Sequence, residues 1–143
     1  MTATHNRPYQ VERPSTRADQ IGRVLMGVDA LLTLGALATG FALVAASDDA
    51  HLLTEMWRTL GYIIFAGLWA IIAVQPRRQW GIWELLLVHK VAITAFALFN
   101  LNVEGGLQHV LIDGWLVVST GLAYVLCRGW QAWRPLLQVP SQP

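Results

Sequence analysis

Four apolar stretches, each about as long as a bilayer is thick, constrain this chain more than anything else in it. Crossing roughly 30 Å of hydrocarbon takes about 20 helical residues, and residues 21–46, 53–75, 79–101 and 107–128 each supply them. The breaks between them are short and polar or turn-forming: Ser47, Asp48 and Asp49, then Pro76, Arg77 and Arg78, then residues 102–106. Connections of that length make each helix run antiparallel to the one before it. The expected fold is all-α, a four-helix up-down transmembrane bundle.

Composition agrees. Hydrophobic residues are 55% of the 143 and charged residues 13%, against roughly 25% charged in soluble domains. A chain this short has too much surface for its volume to bury so much apolar area in water. The net charge of +1 argues against nucleic acid as a partner. The single cysteine, Cys127, rules out an intrachain disulfide and a multi-thiolate metal site.

Charge placement gives the direction. Arg7, Arg13, Arg17 and Arg23 precede or open the first apolar stretch, Arg77 and Arg78 fill the second break, and Arg128 and Arg134 follow the fourth stretch. The other two breaks carry Asp48, Asp49 and Glu104 and no Lys or Arg. The positive-inside rule then predicts both termini in the cytoplasm, N-in and C-in. Trp80, Trp83, Trp130 and Trp133 collect at the expected cytoplasmic interface and Trp57 near the outer one, as interfacial anchors do. Residues 1–20, with Pro8, Pro14 and scattered arginines, read as a flexible cytoplasmic segment, and residues 131–143 as an irregular cytoplasmic tail. The basic start and Val44-Ala45-Ala46 also fit a signal peptide, but the apolar run exceeds the usual h-region of about 7–15 residues and contains Asp29. The expectation is a retained first helix.

Ionisable residues within apolar spans are the first place to look for function, since a charge at the bilayer centre costs at least about 2.5–3.5 kcal/mol. Here they are Asp29, Arg58, Glu84, His89, Lys90, His109 and Asp113. At 1.5 Å per residue, Asp29 lies roughly 12–14 Å and Lys90 roughly 16 Å from the cytoplasmic side, and Arg58 and Asp113 roughly 7–9 Å from the outer side. Two charged layers are expected, Asp29 with Lys90 inside and Arg58 with Asp113 outside. Arg23, Asp29 and Thr33 also share their spacing with Glu84, Lys90 and Thr94, with charges reversed, which sets Arg23 level with Glu84.

Asp29, Glu84, His89, Lys90, His109 and Asp113 are the candidate acids and bases. His109 and Asp113 are i, i+4, an arrangement in which a carboxylate orients an imidazole for proton transfer; a polar stripe facing the bundle interior is the plainer reading. Arg58, Tyr62, Phe65 and Trp69 follow one face of the second helix. They are either packing or one wall of a pocket, so Arg58, Tyr62, Trp69 and Tyr124 are the ligand-binding candidates. A b-type haem between two histidines is disfavoured, because His89 lies near mid-membrane and His109 close to the outer surface. No cofactor or metal site is expected, and no phosphate loop, nucleophile elbow or HExxH is present.

The four short spans, the Pro76-Arg77-Arg78 turn and a third helix with Glu84 and Lys90 resemble the broad DoxX-like group of small bacterial membrane proteins. That resemblance carries over no functional residue; the size and style of the chain suggest a bacterial inner membrane. The leading expectation is a binding or accessory subunit that holds a larger membrane-protein partner or a lipophilic small molecule. A membrane-embedded enzyme of isomerase or cyclase type and a proton or ion conduit are the alternatives.

Overall fold

A computed structural model describes residues 14–134. Among them are four α-helices and no strand: α1 (Thr16–Ala46), α2 (Leu52–Val74), α3 (Ile82–Leu98) and α4 (Gly106–Cys127), followed by a short 3-10 turn at Gly129–Trp133. Three of them, α1, α2 and α4, are long and apolar enough to cross a membrane. The remaining helix, α3, has 17 residues, about 25 Å of helix, shorter than its expected stretch 79–101.

Local chemistry sets these limits. Ser15 caps α1, its hydroxyl accepting from Ala18 N at 3.2 Å, so the helix starts earlier than its apolar run. Residues 16–20 are therefore helical and not flexible; residues 1–13 of that expected segment lie outside the described residues. Asp48 organises the turn into α2. Its carboxylate accepts from His51 N at 3.0 Å and meets the His51 ring at 2.6 Å, and these bonds hold the carboxyl below the usual carboxylate range. Before α3 stands Gly81 at φ 82°, a conformation that a side chain would strain, and this turn delays the helix to Ile82. After α4 the chain makes its 3-10 turn, so the expected tail is ordered through Trp133, and residues 135–143 lie outside the described residues.

The helices pack in the order α2, α1, α4, α3. α1 lies against both α2 and α4, and α3 against α4, while α2 and α3 barely meet. Closeness comes from small residues where side chains would hold helices apart. A Cβ on Gly40 of α1 would stand 2.7 Å from Thr59 Oγ1 of α2, and one on Gly22 2.5 Å from Cys127 Sγ of α4. The large core side chains Met26, Trp69, Ile72, Trp83 and Leu86 fill the half nearer the arginines.

That basic end is tied by one cluster. Arg23 Nε donates to Asp19 at 2.8 Å, and Arg23 Nη1 donates to the Ala73 and Val74 carbonyls at 3.0 and 2.6 Å. Arg77 bonds the other Asp19 oxygen and donates to Cys127 O at 3.0 Å. The final carbonyls of α2 and α4, which lack partners within their own helices, thus meet guanidinium groups of the sign their dipoles favour.

Replacing Gly40 tests the close approach. Gly40→Ala is expected to cost about 1–3 kcal/mol by forcing α1 from α2. Gly35→Ala, where a Cβ meets open space, is expected to stay within about 1 kcal/mol of the parent or gain from helix propensity. Unfolding in mixed micelles, followed by far-UV circular dichroism, compares the two.

Candidate functional site

α4 carries polar residues on two adjoining faces, and these meet side chains from every other helix. On one face, Asp113 Oδ1 accepts from Lys90 Nζ of α3 at 2.8 Å, while His109 Nδ1, one turn away, stands 3.4 Å from Asp113 Oδ2. Both members of the Lys90–Asp113 pair are buried, and His109 is half-exposed near the acidic end. Lys90 is further enclosed by rings: its Nζ lies 4.6 Å from the Phe65 centroid and 5.5 Å from that of Trp69. An ammonium over aromatic faces is attracted by their quadrupoles.

On the other face, Ser119 Oγ donates to Asp29 Oδ2 at 2.6 Å and Trp115 Nε1 donates to Asp29 Oδ1 at 3.2 Å. Asp29 is completely buried, and both of these partners are neutral. Nearer the basic end, Tyr124 and Trp133 both donate to Glu84 Oε1 at 2.9 Å, and Glu84 Oε2 is buried without a partner.

The expected layers are therefore rearranged. Asp29 does not meet Lys90; it meets Ser119 and Trp115. Asp113 does not meet Arg58; it takes Lys90, while Arg58 bonds Glu55 one turn earlier on its own helix. The reason is the length of α3. Ending at Leu98, three residues before its apolar run does, that helix sets Lys90 about 12 Å from its acidic end, while Asp113 lies about 10 Å along α4 from the same end, so the two are level. The matched triads of α1 and α3 do not pair either: Arg23 bonds Asp19 and Glu84 bonds Tyr124. Thr33 and Thr94 do behave alike, each donating to the carbonyl four residues back at 2.8 and 2.7 Å.

Among the catalytic candidates, Lys90, Asp113 and His109 come together, whereas Asp29 and Glu84 each have separate partners. His89 is exposed, with its ring 4.6 Å from Phe65 of α2. Among the ligand-binding candidates, Trp69 donates to Thr120 Oγ1 at 3.1 Å, Tyr124 is engaged by Glu84, and Tyr62 is half-buried on the α2 stripe. Sequence reasoning missed Glu55, Asp19, Trp115 and Ser119. The i, i+3 and i, i+4 spacings that join Glu55 to Arg58 and Asp19 to Arg23 were available signals; nothing in the sequence tied Ser119 to Asp29. Among the described residues, no three His, Cys, Asp or Glu side chains converge as metal ligands.

Chemically, Lys90, Asp113 and His109 form a cation–carboxylate–imidazole line from the bundle interior to its acidic end. The line does not continue to Asp29. Trp69 stands between Lys90 and Thr120, and an indole N–H donates a hydrogen bond but accepts none. No family model, no curated protein and no solved structure matches the chain. The functional reading rests on geometry.

The buried pair sets a test of its own. Lys90→Met leaves the Asp113 charge uncompensated and is expected to cost about 3–5 kcal/mol, whereas Lys90→Met combined with Asp113→Leu should recover most of that loss. A double-mutant cycle of unfolding free energies measures the coupling. Equal losses in the single and double variants would count against a compensated pair.

Proposed function

We infer that this chain is an integral membrane protein of four crossings, with both termini cytoplasmic, acting as a binding or accessory subunit. The observation that carries the membrane reading is the inversion of inside and outside. Leu31, Ile64, Val88 and Leu111, one on each helix, are 64–69% exposed, while Asp29, Lys90 and Asp113 are 0–8% exposed. Water would favour the reverse; lipid solvates the first set and requires partners for the second. The 17 residues of α3 are at the short end for a span, a mismatch that local thinning of the bilayer meets at a cost of fractions of a kcal/mol per Å. α1, about 46 Å long, extends past the hydrocarbon at its basic end. The DoxX-like layout and a bacterial cytoplasmic membrane agree with this reading.

Partnered charges support the binding or accessory role. Lys90 and Asp113 neutralise each other, and Asp29 has two donors, so these groups fix which helix faces which. The surface depression lined by Leu53, Thr54, Met56, Trp57 and Leu60 lies on the outside of α2, away from them, and offers apolar contact to a larger membrane protein or a lipophilic molecule. A second reading, a membrane-embedded acid–base enzyme, is favoured by the convergence of Lys90 and His109 on Asp113. The conduit has less support, since Trp69 interrupts the polar line.

Topology is tested with single cysteines in a Cys127→Ser background. Glu104→Cys and Asp49→Cys should react with an impermeant maleimide from outside intact cells, and Arg78→Cys only after permeabilisation. Release of the chain from membranes by alkaline carbonate would sink the reading. The role is tested with His109→Gln, at the half-exposed end of the line, which leaves the buried Lys90–Asp113 pair intact. A binding or accessory subunit should keep its assembly on native gels, whereas an acid–base enzyme should lose turnover by about 10²-fold or more.

A further inference from the structure

We propose that Asp29 is a proton-binding site of the bundle: its side chain is held as a neutral carboxylic acid, with Oδ2–H donating to Ser119 Oγ and Oδ1 accepting from Trp115 Nε1. This goes beyond the four-crossing reading, to the state of one interior group. Asp29 is 0% exposed, and the partners of its carboxyl, Ser119 at 2.6 Å and Trp115 at 3.2 Å, are both uncharged. A carboxylate enclosed without a cation is costly, and a group so placed takes up a proton instead. The proton needs no cavity, since it is enclosed with the acid as α1 packs on α4.

The charged groups around Asp29 are all engaged elsewhere. On α1 itself, Arg23 lies six residues toward the basic end, and its guanidinium is taken by Asp19 and by the Ala73 and Val74 carbonyls. On α4, the titratable groups either side of Ser119 are Asp113, bonded to Lys90 of α3 with His109 beyond it, and Tyr124, bonded to Glu84. α2 meets α1 at Gly40–Thr59 and at Arg23–Val74, so the part opposite Asp29 lies between them, near Trp69. From Ile63 to Val74 that helix has no titratable residue. α3, with His89 and Lys90, packs chiefly on α4.

The contacts accept the proton without moving a heavy atom. A hydroxyl beside a carboxyl can donate or accept, and Ser119 Oγ has a second acceptor in Leu116 O at 3.3 Å. When Asp29 is ionised, the hydroxyl donates to Oδ2. When it is protonated, the acid donates to Ser119 Oγ and the hydroxyl turns to Leu116 O. The Trp115 indole, a donor only, serves Oδ1 in both states. Asp113 is the contrast, since an ammonium meets it directly.

The test is infrared spectroscopy of the full chain in phosphatidylcholine nanodiscs at neutral pH, with isotope-labelled aspartate carboxyl carbons. A protonated-carboxyl C=O band that moves with the label is expected in the parent. It should be lost in Asp29→Asn and kept in the double variant Lys90→Met with Asp113→Leu. Trp115→Phe removes the bond to Oδ1 and should move the band to higher wavenumber, so it decides the matter if Asp29→Asn fails to fold. Unfolding in mixed micelles is a second readout. The folded acid binds a proton that the unfolded chain releases at neutral pH, so stability is lost as pH rises. The unfolding equilibrium constant should rise by up to about tenfold more per pH unit in the parent than in Asp29→Asn. The proton site is overturned by the absence of the band, by a band that stays in Asp29→Asn or vanishes in the double variant, or by one unmoved in Trp115→Phe. Equal pH slopes in the parent and Asp29→Asn also overturn it. Loss of the chain from carbonate-washed membranes brings down the four-crossing reading itself, whereas a retained chain without the band brings down the proton site alone.

Discussion

Each helix of this bundle carries a polar group that its own backbone cannot satisfy, and α4 supplies the partner. Asp29 of α1 takes Ser119 and Trp115, Trp69 of α2 takes Thr120, and Lys90 and Glu84 of α3 take Asp113 and Tyr124. Even the α2–α3 turn returns to α4, through Arg77 and the Cys127 carbonyl. These contacts are not evenly strong. Hydrogen bonds between neutral groups contribute about 0.5–1.5 kcal/mol each, while a buried charge left alone costs several times that. The arrangement therefore acts mainly through penalties on the wrong arrangement. Rotating α4 by a third of a turn would strand Lys90 and Asp29 together, a loss that apolar packing against lipid-like surroundings has little power to offset, because apolar faces do not discriminate among themselves.

The same logic explains what was legible in the sequence. That there are four helices follows from run lengths and polar breaks, and these need no tertiary information; that all four are of spanning length does not hold, since α3 has only 17 residues. Their ends depend on finer chemistry. Ser15 with an acidic Asp19 in the first turn is a capping signal that a count of apolar residues passes over, and the left-handed Gly81 shortens α3 at a place where hydropathy is continuous. The helix also ends three residues before its apolar run does, at Leu98, and this effect propagates. With the acidic end of α3 about 12 Å from Lys90, that residue becomes level with Asp113, and the pairing inferred from depth alone is exchanged.

Identity of charge was visible, then, but not partnership. Arg58 shows why. Its partner Glu55 is on the same helix, so the pair forms without any help from α4, and a search for cations and anions at matched depth on different helices overlooks it. Asp29 is the converse. No cation serves it among the described residues, and its partners are a hydroxyl and an indole 86 to 90 positions away in sequence. A rule that matches charge to charge cannot find a carboxylate held by neutral donors, which only the packing of α1 on α4 creates.

Packing also divides the bundle by the kind of contact that joins its helices. At Gly40 the Thr59 side chain, and at Gly22 the Cys127 thiol, stand so close that an added methyl group would clash with them, which sets α1 closely against both of its neighbours. The α2–α3 seam is closed differently, by rings meeting at tilted angles. Phe65 and His89 meet through their rings, 4.6 Å between centroids and 48° between planes, with no glycine on either side. Lys90 lies at the junction of the two, its ammonium bound to Asp113 of α4 on one side and resting against the rings of Phe65 and Trp69 of α2 on the other, so one cation serves both the tightly packed helices and the seam.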